Sequence, residues 1–96
     1  MELDTIRKYT ADVLEKNGVA YAGVFGSHAR GEAGEQSDVD ILVKFRKPIG
    51  LFGFVGLQQE LSRRLRREVD LVTEDGVSRR IRDAVLRDLK IFYGQR

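Results

Sequence analysis

The chain of 96 residues contains no cysteine, one proline and one histidine. Without cysteine neither a disulfide framework nor a thiolate metal site can form, which suits a reducing compartment. A single histidine makes no metal cluster. Long hydrophobic runs are missing as well. Nothing approaches the roughly 20 apolar residues of a membrane span, and the charged opening Met1-Glu2-Leu3-Asp4 lacks the apolar core of a signal peptide. The expected address is therefore cytoplasmic. No Gly-Lys-Ser/Thr follows a glycine-rich turn, which excludes a P-loop kinase. Charge of one sign is scarce too: 17 Lys and Arg against 15 Asp and Glu leave +2. That balance permits contact with phosphate or an acidic partner without requiring it.

What is present reads as one small domain over residues 1–96, with 42% hydrophobic residues, no repeat and no low-complexity linker. Pro48 falls between periodic segments. Leu3, Ile6, Tyr9, Val13 and Leu14 recur at near-helical spacing and Asn17-Gly18 follows, so residues 2–17 are expected to form an amphipathic helix. Short β-branched and aromatic runs predict strands at Val19–Phe25, 38–45 and 68–73. Helices are expected at Leu51–Leu65, despite Gly53 and Gly56, and after the capping residue Ser78, where Ile81, Val85, Leu89 and Phe92 would share a face. The predicted fold is α/β (α+β), a small mixed sheet of about three strands flanked by helices.

Within this frame two acids stand at the mouth of an apolar strand. Residues two apart on a strand face the same side, so Asp38 and Asp40 share a row while Val39, Ile41, Val43 and Phe45 form the opposite, core-facing row. Paired carboxylates repel each other and are costly to desolvate, and a divalent cation is the natural compensator. Asp70 joins them if its strand is adjacent, because Val69 and Leu71 take the core-facing row there. Before the acids, Gly26 allows close backbone approach, Ser27 offers an amide and a hydroxyl, and Arg30 adds a positive charge for phosphate. Each residue also has a plainer use. Asp38 can open a strand out of a polar turn, an Asp-x-Asp pair also serves glycosyltransferases, Asp70 can be a strand-edge carboxylate, and Glu74 or Asp75 can stand in for it. Arg30 can be a solvated turn residue.

Together, Gly26-Ser27, ten intervening residues and Asp38-Val39-Asp40 resemble the signature of the DNA polymerase beta-like nucleotidyltransferase superfamily. Gly26-Ser27-His28-Ala29-Arg30-Gly31-Glu32, then Ser37-Asp38-Val39-Asp40-Ile41-Leu42-Val43, and later Val69-Asp70-Leu71-Val72 are similar to the minimal nucleotidyltransferase (MNT) antitoxins that pair with HEPN-domain toxins. The likeness runs from residue 19 to 93. His28 departs from it mildly, standing where an aromatic or other bulky residue is expected. The resemblance implies that Asp38, Asp40 and Asp70 hold two Mg²⁺ ions, with Asp70 also the base, and that Gly26 and Ser27 grip the triphosphate of ATP. It further implies transfer of AMP to a tyrosine hydroxyl of a HEPN ribonuclease toxin, which silences the toxin. The alternative is an antitoxin that neutralises its partner by binding alone.

Two arginine clusters are left over. Arg63, Arg64, Arg66 and Arg67 stand near a helix C-terminus, where cations are favourable and a solvated face accounts for them. Arg79, Arg80 and Arg82 stand near a helix start, where the helix dipole opposes them and a partner or nucleotide contact becomes an option. No aromatic-interleaved basic surface supports nucleic acid as a partner. The Leu51-Phe52-Gly53-Phe54 segment is either core or an apolar docking patch.

Overall fold

The computed structural model describes residues 2–32, 34 and 38–96. Ser37, which precedes Asp38 in the motif, lies outside them. Eight elements follow one another: α1 (Leu3–Lys16), β1 (Val19–Phe25), α2 (Ser27–Arg30), β2 (Val39–Phe45), α3 (Leu51–Leu65), β3 (Val69–Thr73), α4 (Arg79–Asp88) and β4 (Lys90–Gly94). The strands make one mixed sheet in the order β3-β2-β1-β4. β1 pairs antiparallel with β2 and with β4, whereas β2 and β3 run parallel. A parallel pair needs a crossover, and α3 supplies it.

Alternation along the strands divides the apolar residues between two faces. Val39, Ile41, Val43, Ala22, Val24 and Val69 pack under α1 and α3, with Ile6, Leu14, Leu57 and Leu61 from the helices closing the main core. The other row is also covered: Tyr21 and Leu42 are buried with Val77 and Val85 beneath α4. Asp40 belongs to this second row. On β2 this second row is Asp40, Leu42 and Lys44, of which Leu42 is buried and the two charged residues are partly exposed.

The last helix is shorter than the periodicity implies, and a fourth strand follows it. α4 ends at Asp88, Leu89 is already extended, and Phe92 sits in β4 within the main core, on the face opposite to Val85. Ile81 is half exposed. The spacing of Ile81, Val85, Leu89 and Phe92 fits a helix, but Ile91-Phe92-Tyr93 is also a short β-branched and aromatic run. Pairing with β1 decides the matter, because an open β1 edge would leave its backbone groups without partners. Among the described residues no helix is long and apolar enough to cross a membrane.

Candidate active site

Asp40 lies directly opposite Asp70 in the parallel register of β2 and β3. Neighbouring strands are about 4.8 Å apart, so two side chains on one face at paired positions must touch or repel. The Asp70 carboxyl thus stands beside that of Asp40 at paired positions of the two strands. Partial burial pushes the Asp40 carboxyl above its ordinary range. The negative charges of Asp70 and, less strongly, Asp38 push the same way, and His28 pulls weakly against them. Asp38 stands one residue before β2 and is exposed. The three acids therefore converge on one end of the sheet, as the same-side argument requires.

The edge position of β3 raises a second question, namely what holds Asp70 in place. α3 answers it. Gln58 donates through Nε2 to the Val69 carbonyl (2.8 Å), and Ser62 Oγ accepts from the Val69 amide (3.1 Å). These contacts satisfy the backbone of the residue next to Asp70 on the strand's open side. Sequence reasoning missed both residues. The available signal was a polar pair four apart, beside the otherwise apolar stripe Leu57, Leu61 and Leu65.

On the other flank of Asp40, β1 ends at Phe25, which pairs with Asp40, and the chain turns at Gly26. Gly26 has φ 71°, ψ −147°, and a Cβ built on it would lie 2.5 Å from Asp40 Oδ2. Only glycine fits, for both backbone and contact reasons. The Gly26-Ser27 turn is consequently packed against the carboxylate. Ser27 then opens α2, whose single turn is closed by Arg30 N donating to the Gly26 carbonyl (3.1 Å) and Glu32 N to the Ser27 carbonyl (2.9 Å). Arg30 itself is committed. Its Nε donates to Glu32 Oε1 and a terminal nitrogen to Asp88 Oδ2, each at 2.8 Å, which ties α2 to the end of α4.

Glu74 and Asp75, the substitutes for Asp70, are placed elsewhere. They follow the far end of β3 and are both engaged: Glu74 accepts from Tyr21 and from Arg96 (2.7 Å), and Asp75 from Lys44 (2.7 Å). α4 begins at that same end, which removes Arg79 and Arg80 from the acids, and Arg82 donates to the Val77 carbonyl (3.4 Å). In the first cluster, Arg64 forms a two-pronged contact with Asp12 (2.9 and 3.0 Å) and Arg63 pairs with Glu60, so a solvated, ion-paired face describes it.

Among the described residues no three His, Cys, Asp or Glu side chains form a ready-made ion cage. The donor set fits Mg²⁺ on other grounds. That ion takes one or two carboxylates and completes its octahedron with water and substrate phosphate oxygens. Facing carboxylates beside a tight glycine turn, one of them pushed upward by burial and by its neighbours' charge, are the protein's share of such a site.

Comparison with known proteins agrees with this geometry. The family model for the nucleotidyltransferase domain matches residues 6–92, and the chain belongs to that family. Within it, a candidate protein adenylyltransferase of Methanocaldococcus jannaschii is 38% identical over 88 residues, covering 92% of this chain and 95% of its own length. The protein adenylyltransferase MntA of Thermococcus cleftensis is 44% identical over 78 residues, 81% of this chain and 79% of the relative. Among solved structures, a toxin–antitoxin complex with AMP-PNP superposes with a TM-score of 0.79 at 26% identity, covering all of this chain and 76% of the matched one. The MNT antitoxin of Shewanella oneidensis, solved with a tri-AMPylated HEPN toxin, has a TM-score of 0.75 at 22% identity, with 98% and 74% covered. At that identity the likeness speaks for the fold alone.

Proposed function

We propose that the chain is a Mg²⁺-dependent protein adenylyltransferase and an antitoxin that moves AMP from ATP to a tyrosine hydroxyl of a HEPN-domain ribonuclease toxin. The observation carrying this reading is the facing pair Asp40 and Asp70, with Asp38 on the same side and Gly26-Ser27 packed against Asp40. Family membership supports the chemistry, and the relatives named as protein adenylyltransferases support a protein acceptor.

Asp38, Asp40 and Asp70 would hold two Mg²⁺ ions. When bound, such a pair neutralises phosphate charge and stabilises the entering and leaving oxygens of an in-line displacement. The chain's own residues do the rest. Gly26 gives the triphosphate close access to the backbone, and Ser27 donates from its amide and hydroxyl. Arg30 flanks them as a cation that exchanges Asp88 for phosphate. Asp70, exposed at the strand edge, accepts the proton of the acceptor hydroxyl as its oxygen bonds to the α-phosphorus. The bond from that phosphorus to the bridging oxygen breaks, and pyrophosphate leaves. Positioning and charge neutralisation dominate, which a single small sheet can supply.

Calorimetry tests the site directly. Mg²⁺-dependent ATP binding should vanish in the double variant Asp38→Asn/Asp40→Asn while its thermal unfolding stays cooperative. Unchanged affinity in that variant removes the metal assignment. Ser27→Ala should mainly weaken nucleotide binding, and Asp70→Asn should mainly slow transfer.

A further inference from the structure

At the end of the sheet away from the carboxylates, the strand termini and the start of α3 surround a cavity of about 520 Å³. Phe45, Pro48, Ile49, Leu51 and Phe54 give it an apolar lining, with Arg46 among the polar residues at its rim. Phe54 is held there by an edge-to-face contact with Phe45, their ring centres 6.5 Å apart. Beside the cavity Leu51 is 74% and Phe52 94% exposed, with Val55 half exposed one turn on. Helix formation alone does not require apolar residues there, because these positions face solvent. A fully exposed Phe next to an apolar cavity is a feature of binding surfaces.

The charges around it indicate what it receives. Arg46 and Lys47 are exposed immediately before the cavity, and among the described residues neither side chain has a hydrogen-bond or ion-pair partner. The acid in the lining, Asp75, is already engaged by Lys44. The free charge at this rim is therefore positive.

We propose that this end of the molecule docks the protein acceptor, taking an aromatic or aliphatic side chain of an acid-flanked segment into the cavity while Phe52 packs beside it. The inference rests on the adenylyltransferase reading. Phe45 lies five residue steps along β2 from Asp40, about 17 Å of strand. The anchor and the modified hydroxyl therefore lie on different segments of the acceptor, and docking raises the local concentration of that hydroxyl at the acids without touching the chemistry.

Two variants test it with the cognate HEPN-domain protein as probe, binding and AMP transfer being measured separately. Phe52→Asp should weaken acceptor binding by about 30-fold, the loss expected when an aromatic anchor of an interface is removed. It should raise the KM for the acceptor while leaving kcat and Mg²⁺-ATP affinity unchanged. Arg46→Glu/Lys47→Glu should weaken binding less, and the wild-type affinity should fall with salt more steeply than that of this variant. Full acceptor affinity in Phe52→Asp, in a chain whose unfolding temperature is unchanged, overturns the proposal. So does a wild-type chain that sediments as a dimer which Phe52→Asp converts to monomer, because the occupant is then a second copy. Acceptor binding lost in Phe52→Asp, from a wild type that binds the HEPN protein but transfers no AMP to it, supports the docking surface and overturns the adenylyltransferase reading alone.

Discussion

Both ends of the sheet carry carboxylates, and the two sets are treated in opposite ways. At one end Asp38, Asp40 and Asp70 face one another, and Asp40 is pushed upward by burial and by its neighbours' charge. At the other, Glu74 is drawn below its ordinary range, first by the Tyr21 hydroxyl and then by Arg96, and Asp75 likewise by Lys44. One sequence within one small domain thus leaves one acidic group in need of a cation and neutralises the other internally. Frustrated charge in a folded chain marks a site that a ligand completes, and satisfied charge marks scaffold.

The comparison breaks most sharply in transfer activity. Asp40→Asn should lower AMP transfer on the order of 10³-fold, since several kcal/mol of charge stabilisation is lost. Asp75→Asn should leave turnover within a factor of two or so, a surface ion pair contributing little. Comparable losses in both variants would erase the distinction between the two ends. Gly26→Ala comes next. Its methyl group meets Asp40 at 2.5 Å on a backbone with φ 71°, so it should cost about 1–3 kcal/mol of stability and weaken Mg²⁺-ATP binding as Asp40 is displaced. Chemical denaturation and calorimetry read the two effects.

Smaller effects sharpen the scaffold end. Glu74→Gln should cost about 1 kcal/mol at neutral pH, because Arg96 loses its charged partner while Tyr21 retains an acceptor. Glu74 is lowered from its ordinary 4.5, so its contribution is present above that value and is lost as pH falls through the folded value. The variant's stability should therefore converge on that of the wild type in acid, and a constant gap down to pH 3 or so would contradict the assignment. Tyr21 is raised from 10.0 to about 12, chiefly by burial and then by the bond to Glu74. The unfolded chain gives up this proton first, and stability should decline as pH rises from 10.0 towards 12. In an ultraviolet titration one of the three tyrosines should ionise late, and Tyr21→Phe should remove that late step.

How much of this was legible in the sequence depended on whether a signal was local. The bounds of β1 and α3 matched their runs because periodicity and flanking glycine agreed there. The acids' common side followed from strand alternation, and the Asp40–Asp70 pairing needed only the adjacency of β2 and β3. β4 was hidden because Phe92 continues the helical spacing of Ile81, Val85 and Leu89, and only the open edge of β1 favours a strand. The burial of Tyr21 and Leu42 with Val77 and Val85 of the α4 region was not legible, since it depends on contacts between distant parts of the chain. Gln58 and Ser62 could not be assigned to β3 from spacing alone, since their partner lies on another element. The place of Arg30 just after Gly26-Ser27 was legible, but its ion pair with Asp88 was not, because the two residues lie 58 positions apart in the sequence.

The most direct test of the central claim is the intact mass of the HEPN-domain protein after incubation with this chain, ATP and Mg²⁺. The account predicts discrete AMP increments on the toxin, a parallel fall in its ribonuclease activity, and neither change with Asp38→Asn/Asp40→Asn. Equal silencing of the toxin by wild type and double variant, with no added mass, would contradict it and leave neutralisation by binding alone.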